Sequence, residues 1–175
     1  MDNKIIGENM KLLFIIALIL FQVLCSGQSV EDYFNNAFAK SAIGDFYGVI
    51  QEYNKILELY PEYPLAYMNR GNAKTALKDF RGAIKDYDKA IQIDKSYKDA
   101  YYNRGTAKSH LKDYTGAIKD FNTVIKFDSK NAEAYFNRGT SKLFSGDIEG
   151  ACLDWSMAGE LGLSDAYDLI KEYCQ

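Results

Sequence analysis

Three near-identical strings stand 34 residues apart: Tyr67-Met68-Asn69-Arg70-Gly71, Tyr101-Tyr102-Asn103-Arg104-Gly105 and Tyr135-Phe136-Asn137-Arg138-Gly139. A fixed period of this length means that one small unit is stacked several times, because no single unit can bury its own apolar face. A second set of strings keeps the same step: Lys78-Asp79-Phe80, Lys112-Asp113-Tyr114 and Gly146-Asp147-Ile148, then Gly82-Ala83-Ile84, Gly116-Ala117-Ile118 and Gly150-Ala151-Cys152. One step earlier lies a degenerate copy, marked by Tyr33, Ala37, Gly44-Asp45-Phe46, Gly48-Val49-Ile50 and Tyr53. The units are therefore 30–63, 64–97, 98–131 and 132–165.

Each unit divides into two amphipathic stretches. In the second unit Tyr67, Gly71, Lys74 and Leu77 mark the first helix. Phe80, Ala83, Ile84, Tyr87, Ala90 and Ile91 mark the second, at three- and four-residue steps. Asp45, Asp79, Asp113 and Asp147 each precede a second helix, where a short carboxylate accepts orphan backbone N–H groups. Only two prolines, Pro61 and Pro64, interrupt the chain. The expected class is all-α, a solenoid of antiparallel helix pairs.

These residues and spacings resemble the tetratricopeptide repeat. That family carries a large residue at unit position 4, small residues at 8, 20 and 27, and an aromatic at 24. The matching residues are Tyr67, Gly71, Ala83, Tyr87 and Ala90; then Tyr101, Gly105, Ala117, Phe121 and Val124; then Tyr135, Gly139, Ala151, Trp155 and Ala158. The first unit has Tyr33, Ala37, Val49, Tyr53 and Ile56. The resemblance covers residues 30–165 and implies a right-handed superhelix. The proline usual near a unit's end survives only as Pro61, with Lys95, Ser129 and Leu163 in its place elsewhere. Residues 164–174 resemble the helix that caps such arrays. The first unit has no matching cap, so its outer face is a candidate for self-association or membrane contact.

In this family the first helices line a groove. Carried onto this chain, the groove residues are Phe34, Asn35, Phe38, Met68, Asn69, Asn72, Tyr102, Asn103, Thr106, His110, Phe136, Asn137 and Thr140. They form an aromatic stripe beside a ladder of amides that could grip a peptide backbone. The alternative is that part of the stripe packs between repeats. Family members that grip an acidic chaperone C-terminus use lysine and arginine at groove positions. Met68, Glu133 and Asn137 stand there instead, although Asn72 and Asn103 match. That partner is not expected.

Arg70, Arg104 and Arg138 recur with Asp86, Asp120 and Asp154, and both change together in the first unit, to Asn36 and Glu52. Their co-variation within one chain predicts structural ion pairs across each helix pair. Cys152 and Cys174 could staple the cap to the last unit, or stay as two buried thiols. With His110 as the one histidine, no zinc-ligand cluster, phosphate loop or serine-nucleophile motif is present. No catalytic, metal or cofactor site is expected.

Residues 12–24 form a 13-residue run with Gln22 as its one polar member, after Lys11 and before Cys25-Ser26-Gly27. This is the pattern of a signal peptide over residues 1–27, with Gln28 starting the mature chain. An uncleaved membrane anchor would want about 20 apolar residues. A lipidated Cys25 would want a small residue where Leu24 stands. All three readings put the array outside the cytoplasm, periplasmic or secreted, or against a membrane. The net charge is −3, and residues 1–27 contribute none of it. No basic face points to nucleic acid. The expected role is a protein- or peptide-binding scaffold, or alternatively a membrane-tethered assembly subunit.

Overall fold

The computed structural model describes residues 29–174; the candidate signal segment 1–27 lies outside them. The described residues form nine helices: α1 Val30–Ala42, α2 Phe46–Leu59, α3 Pro64–Ala76, α4 Phe80–Ile93, α5 Lys98–His110, α6 Tyr114–Phe127, α7 Ala132–Ser145, α8 Ile148–Glu160 and α9 Asp165–Tyr173. Each helix packs against the helices next to it in the chain, and the first helices of successive units also meet, α3 with α5 and α5 with α7. This is an α-solenoid. Among the described residues no helix is long and apolar enough to cross a membrane.

The turn inside each unit has one design. The residue before the capping aspartate takes a left-handed backbone: Gly44 at φ 76°, Lys78 at 61°, Lys112 at 63° and Gly146 at 94°. The aspartate N–H then donates back five residues to a lysine carbonyl, as from Asp113 to Lys108 at 2.9 Å, and satisfies an orphan carbonyl at the helix end. The same aspartate's carboxylate accepts from the N–H of Gly48, Gly82, Gly116 or Gly150, each at 2.9 Å. A Cβ on any of these glycines would come within 2.2 Å of that carboxylate. Elsewhere Ser29 and Asp32 cap each other across α1, and Pro64 opens α3, where its missing N–H is not needed.

Small residues set the helix spacing. A Cβ at Gly71 would lie 2.6 Å from the Tyr87 ring, and one at Gly139 would lie 2.8 Å from Trp155 Nε1. Between units, Ala66 and Ala73 pack into the first unit's core, and Ala100 and Ala107 into the second's. The apolar core therefore runs from unit to unit.

The two ends close differently. The string Asp165-Ala166-Tyr167 repeats Asp99-Ala100-Tyr101, and Ala166 is fully buried as Ala66, Ala100 and Ala134 are. The cap α9 thus occupies the place of a fifth first helix. Leu169, Ile170 and Cys174 pack on the last core beside it, and a disulfide joins Cys152 to Cys174. At the other end Asp32 occupies the position of those buried alanines and serves the α1 cap. The first unit's outer face, read from sequence as uncapped, is polar at the position where later units meet their neighbours.

Candidate functional site

Among the described residues, depressions open along the face carried by the first helices. One of about 540 Å³ lies between the first two units. Phe34, Phe38 and Asn35 enter it from α1, Phe46 from α2, and Leu65, Asn69 and Asn72 from α3. Phe38 is 78% exposed there, a large apolar ring left to solvent. A second depression, about 220 Å³, lies between the third and fourth units, lined by Thr106, His110, Tyr114, Asn137, Thr140 and Phe144. His110 stacks on Phe80 with ring centroids 4.5 Å apart, and Tyr114 on Phe144 at 5.3 Å. A third, about 270 Å³, brings together Lys98, Asp99, Tyr102, Asn131 and Glu133.

The expected groove residues divide into open and structural ones. Met68 is not a groove residue: it is 7% exposed and belongs to the second unit's core. Its unbranched side chain fills the space between units, and its sulfur accepts from Asn103 at 3.5 Å. The amide ladder is partly spent on the array itself. Asn72 Oδ1 accepts from both Asn103 Nδ2 (3.0 Å) and Tyr87 Oη (2.9 Å). Asn137 Nδ2 donates to Tyr102 Oη at 2.8 Å, and Asn69 shares a hydrogen bond with Tyr53. Thr106 and Thr140 donate back to carbonyls of their own helices. Of the aromatics, Phe34 packs edge-on to Tyr53 and Tyr63, Tyr102 edge-on to Phe121, and Phe136 against the last core. Asn35, Phe38, Asn72 and His110 remain exposed.

Burial raises the Tyr102 hydroxyl above its usual pKa, and the charge of Glu133 raises it further. Tyr87, pinned between Asn72 and Thr75, is pushed up to about 12 by burial. Among the described residues no cluster of three His, Cys, Asp or Glu side chains could hold a metal ion.

Behind the groove runs a ladder of ion pairs. Arg70, Arg104 and Arg138 each grip the aspartate expected for them, Asp86, Asp120 and Asp154, with Nε bonds of 2.8–2.9 Å. Each arginine also reaches into the preceding unit, to Asn54, Asp88 or Asn122, and lies over a tyrosine ring. A second cation completes each pair: Lys74, Lys108 and Lys142 contact the same carboxylates at 2.7–2.9 Å. In the first unit Asn36 leaves the arginine's place empty of charge. Lys55, from the second helix, takes over both roles, binding Glu52 and lying over Tyr33. The lysines recur every 34 residues, so their periodicity was visible in sequence; the crossing from Lys55 was not.

A family model of the TPR repeat matches residues 71–109 and 110–142, which run from α3 into α7. The chain is a tetratricopeptide repeat protein. No curated protein matches this tetratricopeptide chain. Among solved structures, the MamA protein is similar over 81% of this chain and 82% of its own, with TM-score 0.74 and 22% identity. The OM64 TPR domain of Arabidopsis matches 65% of this chain and 94% of its own, at TM-score 0.62 and 26% identity. The first TPR of Spaghetti (RPAP3), solved bound to the HSP90 peptide SRMEEVD, matches 64% and 90%, at TM-score 0.62 and 24% identity. These likenesses establish the fold of the tetratricopeptide array.

Proposed function

We propose that the protein is a non-enzymatic scaffold that binds an extended peptide or protein segment along its first-helix face. The observation that carries this is the cavity of about 540 Å³ with Phe38 exposed inside it. Exposed rings in a depression flanked by polar groups are the usual makings of a binding hot spot. The similar Spaghetti domain holds a peptide, which supports this class of partner. Self-association through the first repeat is not part of the proposal, because Asp32 stands at the contact position.

The working place we propose is outside the cytoplasm, periplasmic or secreted. The apolar run at residues 12–24 and the Cys152–Cys174 disulfide support it. Intact mass of unreduced protein, made with its native N-terminus and fractionated by compartment, tests the export part. A soluble species starting at Gln28 and two hydrogens light supports it. A membrane-bound species that keeps residues 12–24 or carries lipid on Cys25 favours the tethered subunit.

The binding part is tested by selecting decapeptides from a random displayed library and mapping the best binder by NMR. Amide shifts gathered on α1, α3, α5 and α7 support the groove. Shifts on α2, α4 and α6 alone contradict it.

A further inference from the structure

The charges on the groove face are lopsided. Every lysine and arginine on α1, α3, α5 and α7 is tied to a carboxylate, most of them on the side away from the depressions. Lys98, the one that lines a depression, is held by Asp128 at 3.1 Å. The positions assigned to the groove contain no lysine or arginine in any of the four units. Beside them on the same first helices stand Glu31, Asp99 and Glu133, all exposed and in no ion pair among the described residues. The three share unit position 2, so they form one rim, broken in the second unit by Leu65, which is 40% exposed and enters the large cavity. Asp99 and Glu133 line the same depression beside the Tyr102 ring. The groove thus pairs an apolar seat at one end with uncompensated negative charge at the other. Charge complementarity of this kind selects partners and steers their approach.

We infer that the partner segment is basic: an extended peptide that seats an apolar side chain against Phe34 and Phe38 and places a lysine or arginine at Asp99 and Glu133. This rests on the groove reading above and names its ligand class. An acidic segment would lose its own hydration beside Glu133 and gain no cation in return. The stem of a lysine or arginine can lie along Tyr102 while its head meets the carboxylates.

The test uses the random decapeptide library on the full mature array. Sequencing the enriched pool should show lysine or arginine together with aliphatic or aromatic residues. Binding of the best decapeptide, fluorescein-labelled and followed by anisotropy, should weaken about two- to fivefold for each of Asp99→Asn and Glu133→Gln, and should weaken as salt rises. Both side chains are exposed, so unchanged melting of the variants separates charge loss from unfolding. An enriched pool without basic residues, or affinities indifferent to both substitutions, overturns the basic-partner inference and leaves the groove standing. Failure of any decapeptide to enrich overturns the groove reading, and this inference with it.

Discussion

Arg104 joins two repeats: its Nη1 donates to Asp88 of the preceding unit at 2.6 Å while its Nε donates to Asp120 of its own at 2.9 Å. Burial disfavours the guanidinium charge, but the hydrogen bonds and charges of Asp120 and Asp88 outweigh it and raise its pKa. Truncating Arg104 to alanine leaves the buried Asp120 with Lys108 alone. The expected loss is about 2–4 kcal/mol, below the full cost of an orphaned buried charge because the lysine stays. Urea unfolding of Arg104→Ala checks this, and a loss under about 0.5 kcal/mol, as for an exposed pair, would contradict it.

The first unit's carboxylate behaves as a pH-dependent strut. Burial raises the Glu52 pKa, yet the hydrogen bonds and charges of Lys40 and Lys55 lower it below its ordinary value on balance. A lowered folded pKa means the unfolded chain binds the proton more readily. The contribution is therefore present above the unfolded value, about 4.3, and is lost as pH falls through the folded one. Melts of the natural protein and Glu52→Gln should differ most near neutral pH and converge under acid. A difference independent of pH would remove Glu52 from the account.

Much of this was readable beforehand, for a physical reason. The pairing of Arg70 with Asp86 showed itself because both residues recur together and both change in the first unit, to Asn36 and Glu52. The first helices of the four pairs start 34 residues apart, at Val30, Pro64, Lys98 and Ala132. What the sequence hid were exchanges between elements. Lys55 replaces an arginine from a different helix, so no positional comparison reveals it. The asparagines occupy groove positions but bond across repeats, as Asn103 does to Asn72. Met68 lies one residue from Asn69 on the same helix, yet it turns into the core. Periodicity fixes which way a backbone position points, and leaves open where a long or bidentate side chain ends.

Lys112 holds a left-handed backbone that glycine occupies in the equivalent turns, at Gly44 and Gly146. A side chain pays a steric cost in that region, partly offset by the greater chain entropy of unfolded glycine. Lys112→Gly should therefore stabilise the array by roughly 0.5–1 kcal/mol. Thermal unfolding of the single variant is enough to tell, and a destabilised variant would contradict the strain argument.

Trp155 is the one tryptophan of the chain and is fully buried, with the Tyr173 ring 5.9 Å away on the cap side. Reducing Cys152–Cys174 should cost about 2–4 kcal/mol through the freed loop and loosen α9 first. In mild denaturant, the Trp155 emission of reduced protein, or of Cys174→Ser, should shift to the red before the helical signal falls. Simultaneous loss of both signals would mean that the cap does not open separately.

The central claim, that the first-helix face binds a peptide through its exposed apolar seat, is tested most directly by Phe38→Ala. The ring is 78% exposed, so its removal should leave the melting transition within about 0.5 kcal/mol, as for an ordinary surface change. The account predicts that the anisotropy-measured affinity for the best library decapeptide then falls about tenfold or more, the loss expected of an aromatic anchor. Equal affinity in the two proteins would contradict it.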